Sequence, residues 1–250
     1  MGAARALREL GVSFAQADVL VLCYHAVRTR ERFAAQMSGL ARRGYSVLSM
    51  QHFIEWLRGT ASVRAPAALL TFDGGYASQL DHAVPVLETL GFPATFFLIS
   101  SDLDANDRGV RWSDLAALTA AGHTIGCHSH THPDLTRLSE QELEVEVLGS
   151  KRRLEDVLGQ RVGAFCYPDG AHDARVVSAV RRAGFDVAFT VDLGGVSRRD
   201  DPYRLKRVPV LGEPCAAEFV AYVSGAHILS GAILLSWKLR ERLWDRREAT

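Results

Sequence analysis

Residues 66–76 have the sequence PAALLTFDGGY, an apolar run that ends in one carboxylate and a glycine turn. An unbroken apolar run of this length is typical of a strand buried on both faces of a parallel sheet. In barrels of parallel strands, catalytic side chains collect at the carboxyl ends of the strands. We therefore expect a buried strand that carries Asp73 into an active site, where Asp73 is the candidate for the catalytic base.

Similar short β-like runs alternate with helical patterns along the chain. The predicted strands are 19–24, 67–72, 94–99, 124–127, 164–167, 187–191 and 206–210, and the predicted helices include 31–43, 78–90, 113–121, 139–158 and 173–183. Glycines that follow the helices agree with C-terminal caps. The alternation predicts an α/β fold with a mostly parallel sheet, either open or closed into a barrel. The polar segments 102–109 and 193–201 are expected to be surface loops.

The composition limits the class of protein. With 250 residues and 48% apolar residues, the chain can bury one sizeable core. Basic and acidic residues balance at 29 each without a long basic block, so a nucleic-acid partner is not expected. The N-terminal residues 1–11 lack a continuous apolar core, so neither a signal peptide nor a membrane span is predicted there. Four scattered cysteines without a Cys-x-x-Cys pair favour a reducing compartment, and we expect a cytoplasmic protein.

Polar residues fall at the ends of four predicted strands. His25 follows the first strand, Asp73 the second, residues 128–132 the fourth and residues 167–170 the fifth. Because parallel strands end at the same face of a barrel, these four segments are predicted to form one pocket.

His128 and His132 are spaced so that both imidazoles can point at one metal ion, with zinc as the leading candidate. A catalytic zinc usually has three protein ligands and keeps one position for water, and the spacing alone gives only two. The alternative is that histidines in a polar loop hydrogen-bond to the backbone.

Three ordered motifs resemble those of the polysaccharide deacetylases, the NodB-homology domains of carbohydrate esterase family 4. They are residues 71–76, the His-Ser-x-x-His of 128–132, and residues 165–170. The resemblance extends over residues 18–225, which leaves an N-terminal extension at 1–17 and an amphipathic helix at 226–250. It implies a distorted (β/α) barrel that hydrolyses the N-acetyl amide of a carbohydrate on a divalent metal.

Carried over by motif, the resemblance implies a role for five residues. Asp73 would be the general base, and His128 and His132 the metal ligands. The backbone N–H of Tyr167 would stabilise the oxyanion, and His25 would protonate the leaving amine, as in poly-N-acetylglucosamine deacetylases. Substrate contacts are expected from Tyr76, Pro168, Asp169 and Gly170.

The first motif departs from the family pattern, because Gly74 stands where a second acid normally completes the metal site. Three replacements are open. Asp73 could itself bind the metal, His130 or Asp134 could turn inward, or Cys127 could bind as a thiolate. The third motif also lacks an arginine, at Cys166, that orients the catalytic acid in other branches.

These departures leave three functions open. The first is a metal-dependent deacetylase of N-acetylated sugars, the second a catalytically silent carbohydrate-binding protein, and the third a metal-independent amidase. Residues 226–237 are almost entirely apolar and precede five basic residues in 238–247. This tail predicts either a helix docked on the barrel or a partner subunit, or peripheral contact with a membrane.

Overall fold

In the computed structural model, which describes residues 18–105, 109–210 and 214–223, all pairings between the strands are parallel. The strands are β1 (Val19–Tyr24), β2 (Ser46–Leu48), β3 (Ala67–Asp73), β4 (Thr95–Leu98), β5 (Thr124–Cys127), β6 (Ala164–Cys166), β7 (Val187–Leu193) and β8 (Leu205–Pro209). Because β1 pairs with both β3 and β8, β1 and β3 to β8 close into a seven-stranded barrel. β2 extends the sheet beside the first half of β3. The predicted α/β barrel is confirmed.

Helices connect the strands as the alternation predicted. They are α1 (Arg30–Arg42), α2 (Met50–Leu57), α3 (Val84–Leu90), α4 (Asp102–Ala105), α5 (Leu115–Ala120), α6 (Glu140–Glu144), α7 (Ser150–Leu158), α8 (Ala174–Arg182) and α9 (Ala216–Val223). Two π-helical segments interrupt the predicted helices, Gln79–Ala83 before α3 and Val145–Gly149 between α6 and α7. The sequence missed β2 and α2, and α4 lies in a segment that was expected to be a loop.

Alternate residues of the strands face two separate cores. Leu22, Phe72 and Phe96 belong to the outer core, which packs against helices such as α1. The inner core fills the barrel near the amino ends of the strands, and Phe53 and Trp56 of α2 belong to it. Burial of these apolar side chains is the main force that holds such a barrel closed. Helix α2 therefore closes one end of the barrel.

The barrel interior becomes polar toward the carboxyl ends of the strands. The buried polar and sulfur-containing side chains at this end, hereafter the mouth, are Cys23, Thr71, Asp73, His128, Cys166 and Arg207. Burial of polar groups is costly unless they are paired, so their partners show what the mouth is built for. The predicted extension at 1–17 and tail at 226–250 lie outside the described residues, and their boundaries stay predictions.

Candidate active site

Asp73, at the end of β3, is paired with Arg207 of β8. The guanidinium donates from Nη1 to Oδ1 at 2.8 Å and lies with Nη2 2.7 Å from Oδ2. Its Nε–H donates to the carbonyl of Thr190 at 2.9 Å, and both partners are almost fully buried. This is the bidentate geometry in which an arginine holds a carboxylate most firmly. The third motif lacks an arginine at Cys166, but Arg207 reaches Asp73 from a different strand.

The pair determines the charge of the mouth. Burial alone would raise the pKa of Asp73, but the charge and hydrogen bonds of Arg207 outweigh it, so the pKa lies below its ordinary value. Asp73 is therefore ionised and its charge is balanced by Arg207. Two buried thiols, of Cys23 and Cys166, also approach Oδ2, at 3.6 and 3.5 Å.

Gly74 has a left-handed backbone, with φ +86°. A Cβ at this position would lie 2.7 Å from the Tyr76 ring, closer than non-bonded carbon atoms approach. Side-chain-bearing residues rarely adopt this conformation. The space where the missing acid would begin is thus covered by Tyr76, and the turn has a shape that suits glycine.

His25 lies beside Asp73 at the end of β1 and is half-buried. The ligand-type atoms of His25, Asp73 and Cys23 all lie within 4.8 Å of one another. Gln79, in the first π-helical segment, donates from Nε2 to the backbone carbonyls of both His25 (3.1 Å) and Asp73 (2.8 Å). Gln79 therefore ties the end of β1 to the end of β3.

His128 follows β5 and is buried with its ring in a defined orientation. Nδ1 lies 2.9 Å from the carbonyl oxygen of Cys166, which can only accept, so Nδ1 carries the proton and Nε2 has a free lone pair. Burial, with a contribution from His132, lowers the pKa of His128 to about 3. A neutral imidazole fixed through its other nitrogen is the usual state of a metal-binding histidine.

His132 lies next to His128, with ring centroids 4.7 Å apart and planes at 77°. Two residues of this loop, Ser129 (φ 66°) and His132 (φ 58°), have left-handed backbones although neither is glycine. The Ser129 hydroxyl accepts the N–H of His132 at 2.9 Å. Such strained residues persist only where the surroundings fix them, and they are concentrated at functional sites.

The residues present fit a site with two imidazoles but not one with three protein ligands. Among the described residues, the triplets of ligand-type side chains within 4.8 Å are Cys23–His25–Asp73 and Asp73–His128–Cys166. Neither includes His132, and both depend on Asp73, whose two oxygens are paired with Arg207. A metal on Asp73 would sit beside that guanidinium charge, which disfavours Asp73 as the replacement ligand.

The other replacements are also engaged elsewhere. Nδ1 of His130 lies 2.9 Å from the Ser100 hydroxyl. Asp134 accepts from Thr136 and pairs with Arg137. Burial raises the pKa of Cys127 to about 12, so it is a thiol and not a thiolate.

The turn after β6 carries the remaining predicted site residues. The N–H of Tyr167 donates to the carbonyl of Phe189 at 3.1 Å, so it is used in the sheet. It was expected to be a free donor to the oxyanion, and in this structure it is not free. Pro168 and Gly170 are buried, and Gly170 lies so close to Val191 that a Cβ would come within 2.3 Å of it. The exposed residue of the turn is Asp169, with φ 52°.

The sequence did not predict Arg207, Gln79 or Glu146 as site residues. Glu146 is buried and accepts hydrogen bonds from the His128–His132 loop. A signal for it was present, because Glu146 stands in the apolar stripe formed by Leu143, Val147 and Leu154. Gln79 and Arg207 gave no comparable signal.

The family model for polysaccharide deacetylases matches residues 60–188, just over half of the chain. With the barrel and the strand-end residues described above, this match shows that the chain belongs to the polysaccharide deacetylase family, whose members are hydrolases acting on carbon–nitrogen bonds.

Individual relatives agree with this assignment. The chain is 26% identical over 214 residues to YxkH of Bacillus subtilis, assigned by name to the polysaccharide deacetylases, covering 83% of this chain and 76% of that protein. It is 20% identical to the poly-beta-1,6-N-acetyl-D-glucosamine N-deacetylase of Escherichia coli, over 80% of this chain and 36% of that protein. The structure of Streptococcus pyogenes deacetylase PplD in complex with acetate matches with a TM-score of 0.78 at 20% identity, over 84% of this chain and 99% of that chain. At this identity the likeness concerns the fold.

Proposed function

We propose that this protein hydrolyses the N-acetyl amide of a carbohydrate, as the deacetylases of its family do. One observation carries the proposal, namely that His25, Asp73 and His128 converge at the mouth from three different strands. A carboxylate between two imidazoles provides a base, a proton donor and a neutral nitrogen ligand for amide hydrolysis. A barrel that needed only stability would not gather such groups in its buried interior.

The proposed roles follow from the surroundings of each group. Asp73 takes the proton of the attacking water through Oδ1, which keeps a second lone pair beside its bond to Arg207, whereas Oδ2 also accepts from two thiols. His25 gives a proton to the departing amine nitrogen as the carbon–nitrogen bond breaks. Asp169 is the exposed residue of the turn, and its backbone N–H replaces that of Tyr167 as the proposed donor to the oxyanion. The products are acetate and a free amine on the sugar.

We propose that His128 and His132 would hold a divalent cation, with zinc the first candidate. When bound there, it would supply Lewis-acid polarisation of the acetamide carbonyl. The protein adds two imidazoles and no unpaired carboxylate among the described residues near them, so we expect weaker binding than at a site with three protein ligands.

The test is acetate release from N-acetylglucosamine oligomers by the full chain, with added zinc, cobalt or manganese and after chelation. Wild type is expected to release acetate, and Asp73→Asn and His25→Gln to lose at least about 100-fold. Release that survives in Asp73→Asn would remove Asp73 as the base. No release from any acetylated sugar, together with no bound metal by elemental analysis, would refute the proposal.

The second candidate is a silent carbohydrate-binding protein, favoured by the Tyr76 ring that covers Gly74. It predicts glycan binding by calorimetry with no acetate release under any metal. A metal-independent amidase, the third candidate, predicts turnover that is unchanged by chelator.

The proposed partner is an N-acetylated carbohydrate and the proposed address is cytoplasmic, with peripheral membrane contact through the tail at 226–250. No helix among the described residues is long and apolar enough to cross a membrane. Sedimentation with anionic vesicles of the full chain and of a chain ending at residue 225 tests the tail. Equal binding of the two would exclude it as the membrane contact.

A further inference from the structure

The loop that presents His128 and His132 has an unfavourable backbone. Ser129 and His132 are both left-handed, so the loop needs bonds from outside to keep this shape. The Ser129 hydroxyl accepts from the N–H of His132, but this bond lies within the loop. It does not fix the loop relative to the barrel.

Some bonds from outside come from the end of β4, where the N–H groups of Ser100 and Ser101 donate to the carbonyls of Ser129 and His130 at 3.2 and 3.0 Å. Glu146, in the second π-helical segment, adds three more. Its Oε2 accepts the backbone N–H of His130 at 2.8 Å and that of Thr131 at 2.9 Å. Its Oε1 accepts the Thr131 hydroxyl at 2.7 Å. Glu146 is 7% exposed, so water competes little for these bonds. A buried carboxylate that accepts three hydrogen bonds from two consecutive residues fixes their orientation.

We propose that Glu146 is a positioning residue that holds the loop in the conformation in which the imidazoles of His128 and His132 lie next to each other, edge to face. Its bonds go to two of the three residues between these histidines, so it acts on the imidazoles through the chain that carries them. The consequence for metal binding rests on the proposed function, whereas the ordering of the loop does not.

The contacts also distinguish geometry from charge. Glutamine has the same length, and its amide oxygen can accept both N–H groups while its amide nitrogen donates to the Thr131 hydroxyl. Glu146→Gln should therefore keep the loop ordered, and Glu146→Ala should release it. Thr131→Val removes one of the three bonds without changing the helix. The matched control is Glu144→Ala, which removes an exposed carboxylate from α6 two residues away.

The experiment measures amide hydrogen exchange at residues 130 and 131 in the full chain, and zinc affinity by calorimetry. In Glu146→Ala we expect exchange at these amides to increase on the order of tenfold, and zinc to bind about 10- to 100-fold more weakly. Thr131→Val should lie between this variant and wild type. Glu146→Gln and Glu144→Ala should stay within about threefold of wild type in both measurements.

Unchanged exchange in a folded Glu146→Ala would overturn the proposal. If Glu146→Ala does not fold, Thr131→Val and Glu146→Gln decide. Wild-type exchange at residue 130 in Thr131→Val, together with loss of protection in Glu146→Gln, would show that the bonds do not order the loop. If wild type binds no zinc, the metal part of the proposed function fails. The exchange data still decide the role of Glu146 in that case.

Discussion

The loop at 128–132 and the turn at 73–76 lie side by side at the mouth, but they differ in what they offer. The loop presents two adjacent imidazoles, one of them neutral and fixed through Nδ1. The turn offers one carboxylate, already paired with Arg207, and a glycine covered by Tyr76. The loop therefore has both imidazoles that the family motif predicts, whereas the turn lacks the second acid.

Gly74 is not the only feature of the turn that suits the absence of a second acid. The backbone of the turn is left-handed there, and a neighbouring ring has filled the space. Arg207 neutralises the remaining acid. Together these features keep the turn well packed without a second acid, so we expect that a single replacement will not create a metal site there.

The largest effect on the stability of the turn is expected from removal of the guanidinium that pairs with Asp73. Arg207→Ala leaves Asp73 buried and unpaired, so we expect a loss of about 3–5 kcal/mol in the free energy of unfolding. Urea denaturation measures this loss. The double variant Asp73→Asn/Arg207→Met should be much less destabilised, since it leaves no lone charge. Equal losses in the two would show that the pair is not what stabilises this part of the mouth.

The variant Gln79→Ala tests whether the turn at 73–76 and the loop at 128–132 act independently. Gln79→Ala removes the bonds to the carbonyls of His25 and Asp73, at a cost of about 1–3 kcal/mol in stability. We expect kcat for acetate release to fall while zinc affinity of the imidazole pair stays unchanged. Gln51→Ala, on the exposed face of α2, is the matched control. A parallel loss of zinc affinity would show that the turn and the loop are coupled.

Repair of the turn should need two changes. Gly74→Asp alone should lose about 1–2 kcal/mol of stability, since its backbone is left-handed, and should gain no zinc by elemental analysis. Gly74→Asp combined with Tyr76→Ala opens the covered space and should raise zinc content toward one per chain. Zinc gain by the single variant would show that Tyr76 moves aside freely.

The smallest effect concerns the thiols. Of the four cysteines, Cys215 is exposed and the other three are buried. Iodoacetamide at pH 8 should modify Cys215 in the folded protein and leave Cys127 unmodified, because burial raises the pKa of Cys127 to about 12. Peptide mass spectrometry measures the labelling. Rapid labelling of Cys127 would return it to consideration as a thiolate ligand.

The sequence predicted the barrel because its signals are local. Apolar runs and C-terminal glycines mark each strand and helix, and polar residues such as His25 and Asp73 stand directly at the strand ends. β2 was missed because Ser46–Leu48 contains only two consecutive apolar residues, Val47 and Leu48, between two serines.

The site was predicted less completely, since its partners are distant in the chain. Arg207 reaches Asp73 across 134 residues, and no sequence periodicity reports such a contact. The use of the Tyr167 N–H in the sheet likewise depends on the neighbouring strand, and the sequence alone does not show it.

The two π-helical segments carry Gln79 and Glu146, so the number of residues in these helices determines where both side chains point. A π-helical segment of this kind corresponds to one residue inserted into an α-helix. Deleting one residue from Val145–Gly149 would restore α-helical spacing and rotate one side of the helix relative to the other by about 100°. Glu146 and the apolar stripe of α7 could then no longer face the barrel together. These helices should therefore tolerate surface substitutions well and single-residue deletions poorly.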